Sequence, residues 1–175
     1  MKNSIVITTL LLVLPLLSYS QDQNILQFYE KYQNIEEVTN ITLQGWVLKM
    51  ASEFSDEAEV SQILNKITKL RVLVMEGGNL VSQQECRDLV KKVKQNRFED
   101  LMQIRDGGQV IEFLIREDKE TITDVLVLIS GDDQFVLLSL EGALKFSDLN
   151  NLNIDIEGGE HFKKIPEKKK DLPRA

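Results

Sequence analysis

The chain has 175 residues, of which 42% are hydrophobic and 28% charged, with one cysteine and one histidine. This length fits one domain with a core of ordinary size, and the hydrophobic share is too high for a disordered chain. Cys86 has no partner for an intrachain disulfide, and together with His161 it supplies too few ligands for a usual zinc site. The composition therefore predicts a globular protein without disulfides, zinc or other cofactors.

The first 20 residues have the pattern of a secretory signal peptide. Lys2 precedes an apolar run from Ile5 to Leu17, which is shorter than the roughly 20 residues that span a bilayer. Small residues at Ser18 and Ser20 suit cleavage before Gln21, and no cysteine follows there to accept a lipid. We predict a signal peptide over residues 1–20 of an exported protein that is not a lipoprotein and has no transmembrane span after cleavage; an uncleaved anchor is the alternative.

Charge is distributed unevenly along the chain. The whole sequence carries a net charge of −7; residues 21–160 hold 14 basic and 26 acidic residues (net −12), whereas residues 161–175 hold six basic and two acidic residues (net +4). An acidic body repels phosphate backbones, which excludes nucleic acid as a partner. We predict a single domain over residues 21–160 and a basic, disordered tail over 161–175, with contact to anionic lipid or to the acidic body of a neighbour as the alternatives for the tail.

Hydrophobic periodicity predicts helices and strands in alternation over the first half. The capping-box spacing of Ser82 and Glu85 marks one helix start, and Ser55 suits the N-cap of another. Trp46 and Phe54 are expected to pack in the core, with a ligand groove as the alternative. The predicted elements are a helix over 25–32, a strand over Val38–Leu43, a helix over 46–54, a helix after Ser55 bearing Val60, Ile63, Leu64 and Ile67, a strand over Arg71–Met75, and a helix after Ser82 bearing Cys86, Leu89, Val90 and Val93.

From Phe98 onward the period changes to two, which indicates strands. Asp106-Gly107-Gly108 is typical of a tight hairpin turn. Ser147 suits the cap of a last short helix bearing Leu149 and Leu152. The fold class predicted is α+β: an antiparallel or mixed sheet with helices packed mainly on one face and a C-terminal four-strand meander. The four strands of the meander are expected over 100–105, 110–116, 122–129 and 135–140.

Two predicted strands, Val125–Ile129 and Phe135–Leu140, are apolar on both faces. With helices on mainly one side, part of such a sheet stays uncovered and forms an interaction surface by default. The candidate surface consists of Val125, Val127, Ile129, Phe135 and Leu137.

Catalytic motifs are not apparent in the sequence. Cys86 lies on an apolar helix face and is predicted to be a core thiol, while His161 lies in the polar tail. Asp132 and Asp133 are candidates for a hairpin turn or, less simply, a weak cation site. We therefore predict a protein that is not an enzyme.

The segment Val127–Gly142, which includes Ser130-Gly131-Asp132-Asp133, resembles the signature hairpin of the domain of unknown function 4252 family. Leu48–Ala51, Ile67–Leu73 and Phe98–Met102 are similar to other recurring pieces of that family. The resemblance implies a small exported protein of a Gram-negative bacterium, located in the periplasm or secreted, with no established activity. Many members carry a lipid-accepting cysteine after the signal, which this chain lacks. Gene neighbourhoods of the family imply a role in envelope signalling.

Two hypotheses of function follow from the sequence. The first is a non-enzymatic module that binds another envelope protein or associates with itself. The alternative is a periplasmic carrier of a small apolar or amphipathic ligand.

Overall fold

The structure is a computed structural model, and it describes residues 22–151. The predicted signal peptide and basic tail, together with Leu152 and His161, lie outside the described residues. In chain order the elements are α1 (Gln23–Tyr32), β1 (Val38–Gln44), α2 (Gly45–Glu53), α3 (Ala58–Leu64), β2 (Ile67–Glu76), α4 (Gln83–Gln95), β3 (Glu99–Asp106), β4 (Gln109–Asp118), β5 (Thr121–Ser130), β6 (Gln134–Leu144) and α5 (Phe146–Asn150).

The six strands form one sheet in the order β1-β2-β6-β5-β4-β3. Every neighbouring pair is antiparallel. Strands β3 to β6 follow one another as neighbours, which confirms the predicted α+β class and the C-terminal meander. β6 is inserted between β5 and β2, so the last strand of the sequence joins the meander to the β1–β2 pair.

The β3–β4 turn has the geometry that its sequence predicts. Asp106 pairs with Gln109, and the two residues between them, Gly107 and Gly108, have φ angles of 54° and 88°. Positive φ at both central residues is the signature of a type I′ hairpin, which glycine adopts without steric cost. This turn therefore fixes the β3–β4 register.

Helices cover both faces of the sheet, whereas the sequence predicted them mainly on one. On one face, Leu48 of α2, Ile63 of α3 and Leu149 of α5 pack with the sheet core. On the other face, side chains of α1 and α4 such as Ile25 and Val93 pack against the sheet. The reason is visible in β5, where the successive residues Val125–Ile129 are all apolar and buried, because a strand of that kind needs cover on both sides.

Two helix starts differ from their predicted positions. α3 begins at Ala58 with Glu57 as N-cap rather than at Ser55, and the Ser55 hydroxyl instead accepts a 3.4 Å bond from the Glu57 N–H. α5 begins at Phe146 rather than after Ser147, and the Lys145 N–H donates to the Asp148 carboxylate at 2.7 Å. By contrast, the capping box of Ser82 and Glu85 is confirmed at the start of α4.

Candidate functional site

The five residues predicted as an interaction surface do not form one. Val125, Val127 and Ile129 belong to the apolar layer under α2, α3 and α5, whereas Phe135 and Leu137 belong to the opposite layer under α1 and α4. The strand register causes this division. Leu137 pairs with Leu128 of β5, and paired residues share a face of the sheet. Because successive side chains of a strand alternate between faces, Val127 and Ile129 lie on the other face. All five are at most 1% exposed, so they serve the core.

Asp132 and Asp133 are exposed in the β5–β6 turn. Gly131 donates its N–H to the Gln134 carbonyl at 3.0 Å, and the Asn79 side chain donates to the Gly131 carbonyl at 2.7 Å. Within residues 22–151 there is no group of three or more Asp, Glu, His or Cys residues that could hold a metal ion. The geometry suits a hairpin turn held from the side by Asn79.

The most exposed apolar surface of the described chain lies on α2. Trp46 is 67% exposed, Met50 52% and Phe54, directly after the helix, 82%. A spacing of four residues places these side chains on one helix face, which we call the outer stripe. The prediction that Trp46 and Phe54 pack in the core is wrong, because α2 buries Leu48 and Ser52 instead.

Two contacts with other elements fix α2 in this orientation. A Cβ atom on Gly45 would lie 2.9 Å from the Thr68 carbonyl oxygen, so the first turn is pressed against β2. The Asn65 amide at the end of α3 donates to the Ser52 hydroxyl at 2.9 Å, and that hydroxyl donates to the Lys49 carbonyl at 2.7 Å. Since the Ser52 side faces α3 and the sheet, the outer stripe is left facing solvent.

Acidic side chains follow the outer stripe along the chain. We call the set Glu53, Asp56, Glu57 and Glu59 the acidic flank; all four are exposed. Over residues 45–64 these four acids are accompanied by one basic residue, Lys49, which gives a net charge of −3. Apolar contact area with a negative rim favours a partner that is apolar and basic.

A second group of functional-looking residues lies within the sheet, where Glu141 of β6 faces Asp124 of β5. Arg71 binds Glu141 at 3.2 Å and Arg116 binds Asp124 at 2.8 Å, with all four side chains at least 86% buried. A cavity of about 360 Å³ adjoins the two carboxylates. Each acid is matched by one guanidinium, so the group is a neutral structural network rather than a site with a free charge.

Sequence reasoning missed this network, although its signal is present. Asp124 and Glu141 interrupt apolar strands at positions where an unpaired charge would be costly to bury. A carboxylate in such a place implies a basic partner on a neighbouring strand. The strand pairing that supplies Arg71 and Arg116 is long-range and cannot be read from local periodicity.

Cys86 is a buried free thiol, which confirms the predicted core role. Its Sγ lies 3.6 Å from the Ser130 hydroxyl oxygen. Burial raises the pKa of the Cys86 thiol above its usual value. Because the thiolate is the reactive form, this environment disfavours nucleophilic chemistry.

The comparisons with known proteins identify a family. The model of the family described as "Domain of unknown function (DUF4252)" matches residues 29–152, and the chain belongs to this family. The match includes the outer stripe, the acidic flank and the whole sheet. Neither the curated proteins nor the solved structures contain a match to the chain.

None of the helices between residues 22 and 151 combines the length and the apolar character needed to cross a bilayer.

Proposed function

We propose that this chain is an exported, non-enzymatic protein of the bacterial envelope that binds another protein through the outer stripe. The observation that carries the proposal is the exposure of Trp46, Met50 and Phe54 in one row on α2. Large apolar side chains exposed in a contiguous row usually mark an interaction site. Tryptophan, phenylalanine and methionine are also enriched in protein interfaces, and tryptophan is a frequent energetic anchor of binding.

The envelope location and the signalling role rest on the sequence. Residues 1–20 have the signal-peptide pattern, and the family resemblance favours a periplasmic or secreted protein that acts in envelope signalling. The non-enzymatic character is supported by the side chains described above. Cys86 is buried and weakly acidic, and the carboxylates of Asp124 and Glu141 are each bound by an arginine.

The carrier alternative has less support. The cavity of about 360 Å³ is lined partly by Asp118, Lys119 and Asp124, and a cleft of about 230 Å³ between α1 and α4 is lined partly by Lys31 and Glu85. Both spaces are open to solvent and have charged side chains in their walls, so neither resembles the enclosed apolar pocket that usually holds an apolar ligand. The exposed outer stripe therefore supports protein binding more strongly than the cavities support ligand carriage.

Site-specific photocrosslinking in the native host tests the proposal. A photoreactive phenylalanine analogue is placed at Met50 in the outer stripe or, as a matched control, at Leu80, which is 51% exposed but lies outside the stripe. We expect one defined adduct from position 50 and none of the same mass from position 80. Equal labelling of the same protein from both positions would count against a specific surface.

The crosslinked protein, once identified by mass spectrometry and purified, permits a binding measurement. Phe54→Ser should weaken its affinity roughly 30-fold if the stripe carries a hot spot of about 2 kcal/mol. Leu80→Ser should leave the affinity unchanged. An unaltered affinity for the Phe54 variant would contradict the proposed function.

A further inference from the structure

We propose that residues 161–175 of this chain dock on the outer stripe and acidic flank of the same molecule, so that the binding surface is self-occupied until a partner displaces this segment. The inference rests on the proposed function in one respect, namely that the outer stripe is a binding surface. It adds the identity of an intramolecular occupant and thereby a form of regulation.

Charge complementarity is the first argument. Residues 45–64, which contain the stripe and the flank, carry a net charge of −3, and residues 161–175 carry +4. Opposite net charges on two surfaces steer them together and disfavour partners of the wrong sign. Anionic lipid is disfavoured by the same flank, because its four exposed carboxylates would face the lipid headgroups.

The segment also has the apolar residues that a stripe of this kind requires. Phe162, Ile165 and Leu172 are interspersed with five lysines and one arginine between positions 161 and 175. Large apolar side chains would cover Trp46, Met50 and Phe54, while the amines reach the carboxylate rim. A lysine over the indole of Trp46 would add a cation–π contact.

The described chain ends on the sheet face that α2 also covers, beside the start of β2. Asp148 of α5 binds the Lys66 amine at 2.7 Å, and the Ala143 N–H donates to the Lys66 carbonyl at 3.0 Å. Two residues further on, the Thr68 carbonyl abuts Gly45, which directly precedes Trp46. The chain therefore leaves α5 beside the strand against which the first turn of α2 is pressed.

The reach of the connecting residues is sufficient. Residues 152–160 separate the described fold from the basic segment, and nine residues extend up to about 30 Å. The nine residues of α2 are about 14 Å long at 1.5 Å per residue. The basic segment can thus lie along the whole stripe of its own molecule without strain in the connection.

A second copy of the chain is a poorer occupant. A stable interface buries about 800 Å² per partner, which is more than the exposed row of one nine-residue helix supplies. Two acidic flanks brought together would also repel each other. A short linear segment matches the size of the stripe better than another folded surface does.

Trp46 is the only tryptophan in the chain, so its fluorescence reports directly on the stripe. We compare the protein that begins at Gln21 with the same protein ending at Glu160. Removal of residues 161–175 should red-shift the Trp46 emission and raise its acrylamide quenching constant roughly twofold, because a large aromatic surface loses its cover. Salt at about 1 M should also red-shift the Trp46 emission of the longer protein and raise its quenching constant. The reason is that the Debye length falls to about 3 Å, which screens the attraction between the segment and the acidic flank.

Charge-reversal variants of the longer protein test the contribution of the lysines in residues 161–175 without shortening the chain. Lys169→Glu with Lys170→Glu should reproduce the effect of removing the segment. Lys91→Glu with Lys92→Glu, the same change of charge on α4, should leave the quenching of Trp46 as it was. Equal effects of the two double variants would overturn the proposal.

The remaining outcomes are also decisive. Identical emission and quenching with and without residues 161–175 would overturn the inference. A difference that grows with protein concentration would assign the occupant to a second copy and overturn the intramolecular form. If the fluorescence does not change but Phe54→Ser still loses the crosslinked partner, only this inference fails and the proposed function stands.

Discussion

Glu85 joins two helices and caps one of them. One carboxylate oxygen accepts from the Ser82 N–H at 3.2 Å and the other from the Tyr32 hydroxyl at 3.0 Å, while the Lys31 amine of α1 also binds it. The bond from Lys31 is the largest cause that lowers the pKa of Glu85 to about 2. The reciprocal bond raises the pKa of Lys31 to about 12.

The first prediction concerns Glu85→Gln and the dependence of stability on pH. A carboxyl group whose pKa is lowered on folding stabilises the native state fully above its ordinary value of 4.5 and loses that contribution as pH falls toward 2. The contribution at neutral pH is modest, about 0.5 kcal/mol, because the ion pair is largely exposed and screened.

Urea unfolding at several pH values between 7 and 2 measures this contribution. The native protein should lose more stability than Glu85→Gln between pH 4.5 and pH 2. Glu30→Gln, an exposed change on α1, serves as the control and should keep the native pH profile. If the free energy of unfolding falls equally with pH in the native protein and in Glu85→Gln, the Glu85 carboxylate does not contribute to stability as predicted.

The second prediction compares the substitution of aspartate by asparagine at a buried position, Asp124, and at an exposed position, Asp133. Asp124 is buried and bound by Arg116 and Thr123, whereas Asp133 is exposed in a turn. We predict that Asp124→Asn destabilises by about 3 kcal/mol, because it removes the charged half of a mostly buried ion pair with Arg116. Asp133→Asn should stay within about 0.5 kcal/mol of the native protein. Equal costs in chemical denaturation would contradict the structural role of the network.

At the scale of the element, local patterns identified most helices and strands. The meander was predictable because the turn residues Gly107-Gly108 and Gly131 separate short apolar runs rich in valine, isoleucine and leucine, and α4 because its capping box adjoins an apolar face. The orientation of α2 was not predictable. Its sequence offers two apolar rows, one with Trp46 and Met50 and one with Leu48, and periodicity alone cannot decide which row meets the sheet.

The third prediction tests that orientation. Leu48→Ala should destabilise by about 2–5 kcal/mol because it opens a cavity in the core. In the protein that ends at Glu160, Trp46→Ser should change stability by no more than about 0.5 kcal/mol because its side chain is mostly exposed. Thermal unfolding of both variants decides the matter, and a larger loss for the Trp46 variant would mean that α2 is turned the other way.

The fourth prediction concerns close approach of the backbone at the end of β6. A Cβ atom on Gly142 would lie 2.5 Å from the Lys66 carbonyl oxygen, whereas one on Gly78 would meet nothing within 4 Å. Gly142→Ala should therefore destabilise by about 1–3 kcal/mol through overpacking. Gly78→Ala, whose φ is not positive, should be nearly neutral. Similar midpoints of denaturation for the two variants would rule out this contact as a constraint.

At the scale of the whole molecule, the sequence predicted the class of fold but not how the β1–β2 pair and the strands β3 to β5 are joined through β6. The pairing of β2 with β6 joins residues 58 (Glu76 and Gln134) to 75 (Ile67 and Gly142) positions apart, and no turn or local period encodes such a distance. The ion pair of Arg71 and Glu141 depends on this pairing, as does the contact of Asp148 in α5 with Lys66. Long-range register is therefore the part of the fold and of the site that only the structure supplies.

The position of β6 also determines the order in which the sheet can close. β1 and β2, which α2 and α3 connect, form one antiparallel pair, and β3, β4 and β5 form a ribbon. Neither group is paired with its final neighbour until β6 enters between them. Before residues 134–144 leave the ribosome or a translocation channel, both halves expose an unpaired backbone edge and the chain has no complete core. A chain that stops at Asp133 should accordingly show no cooperative unfolding transition in urea. Late closure of this kind would keep the polypeptide unfolded during the export that we propose for it.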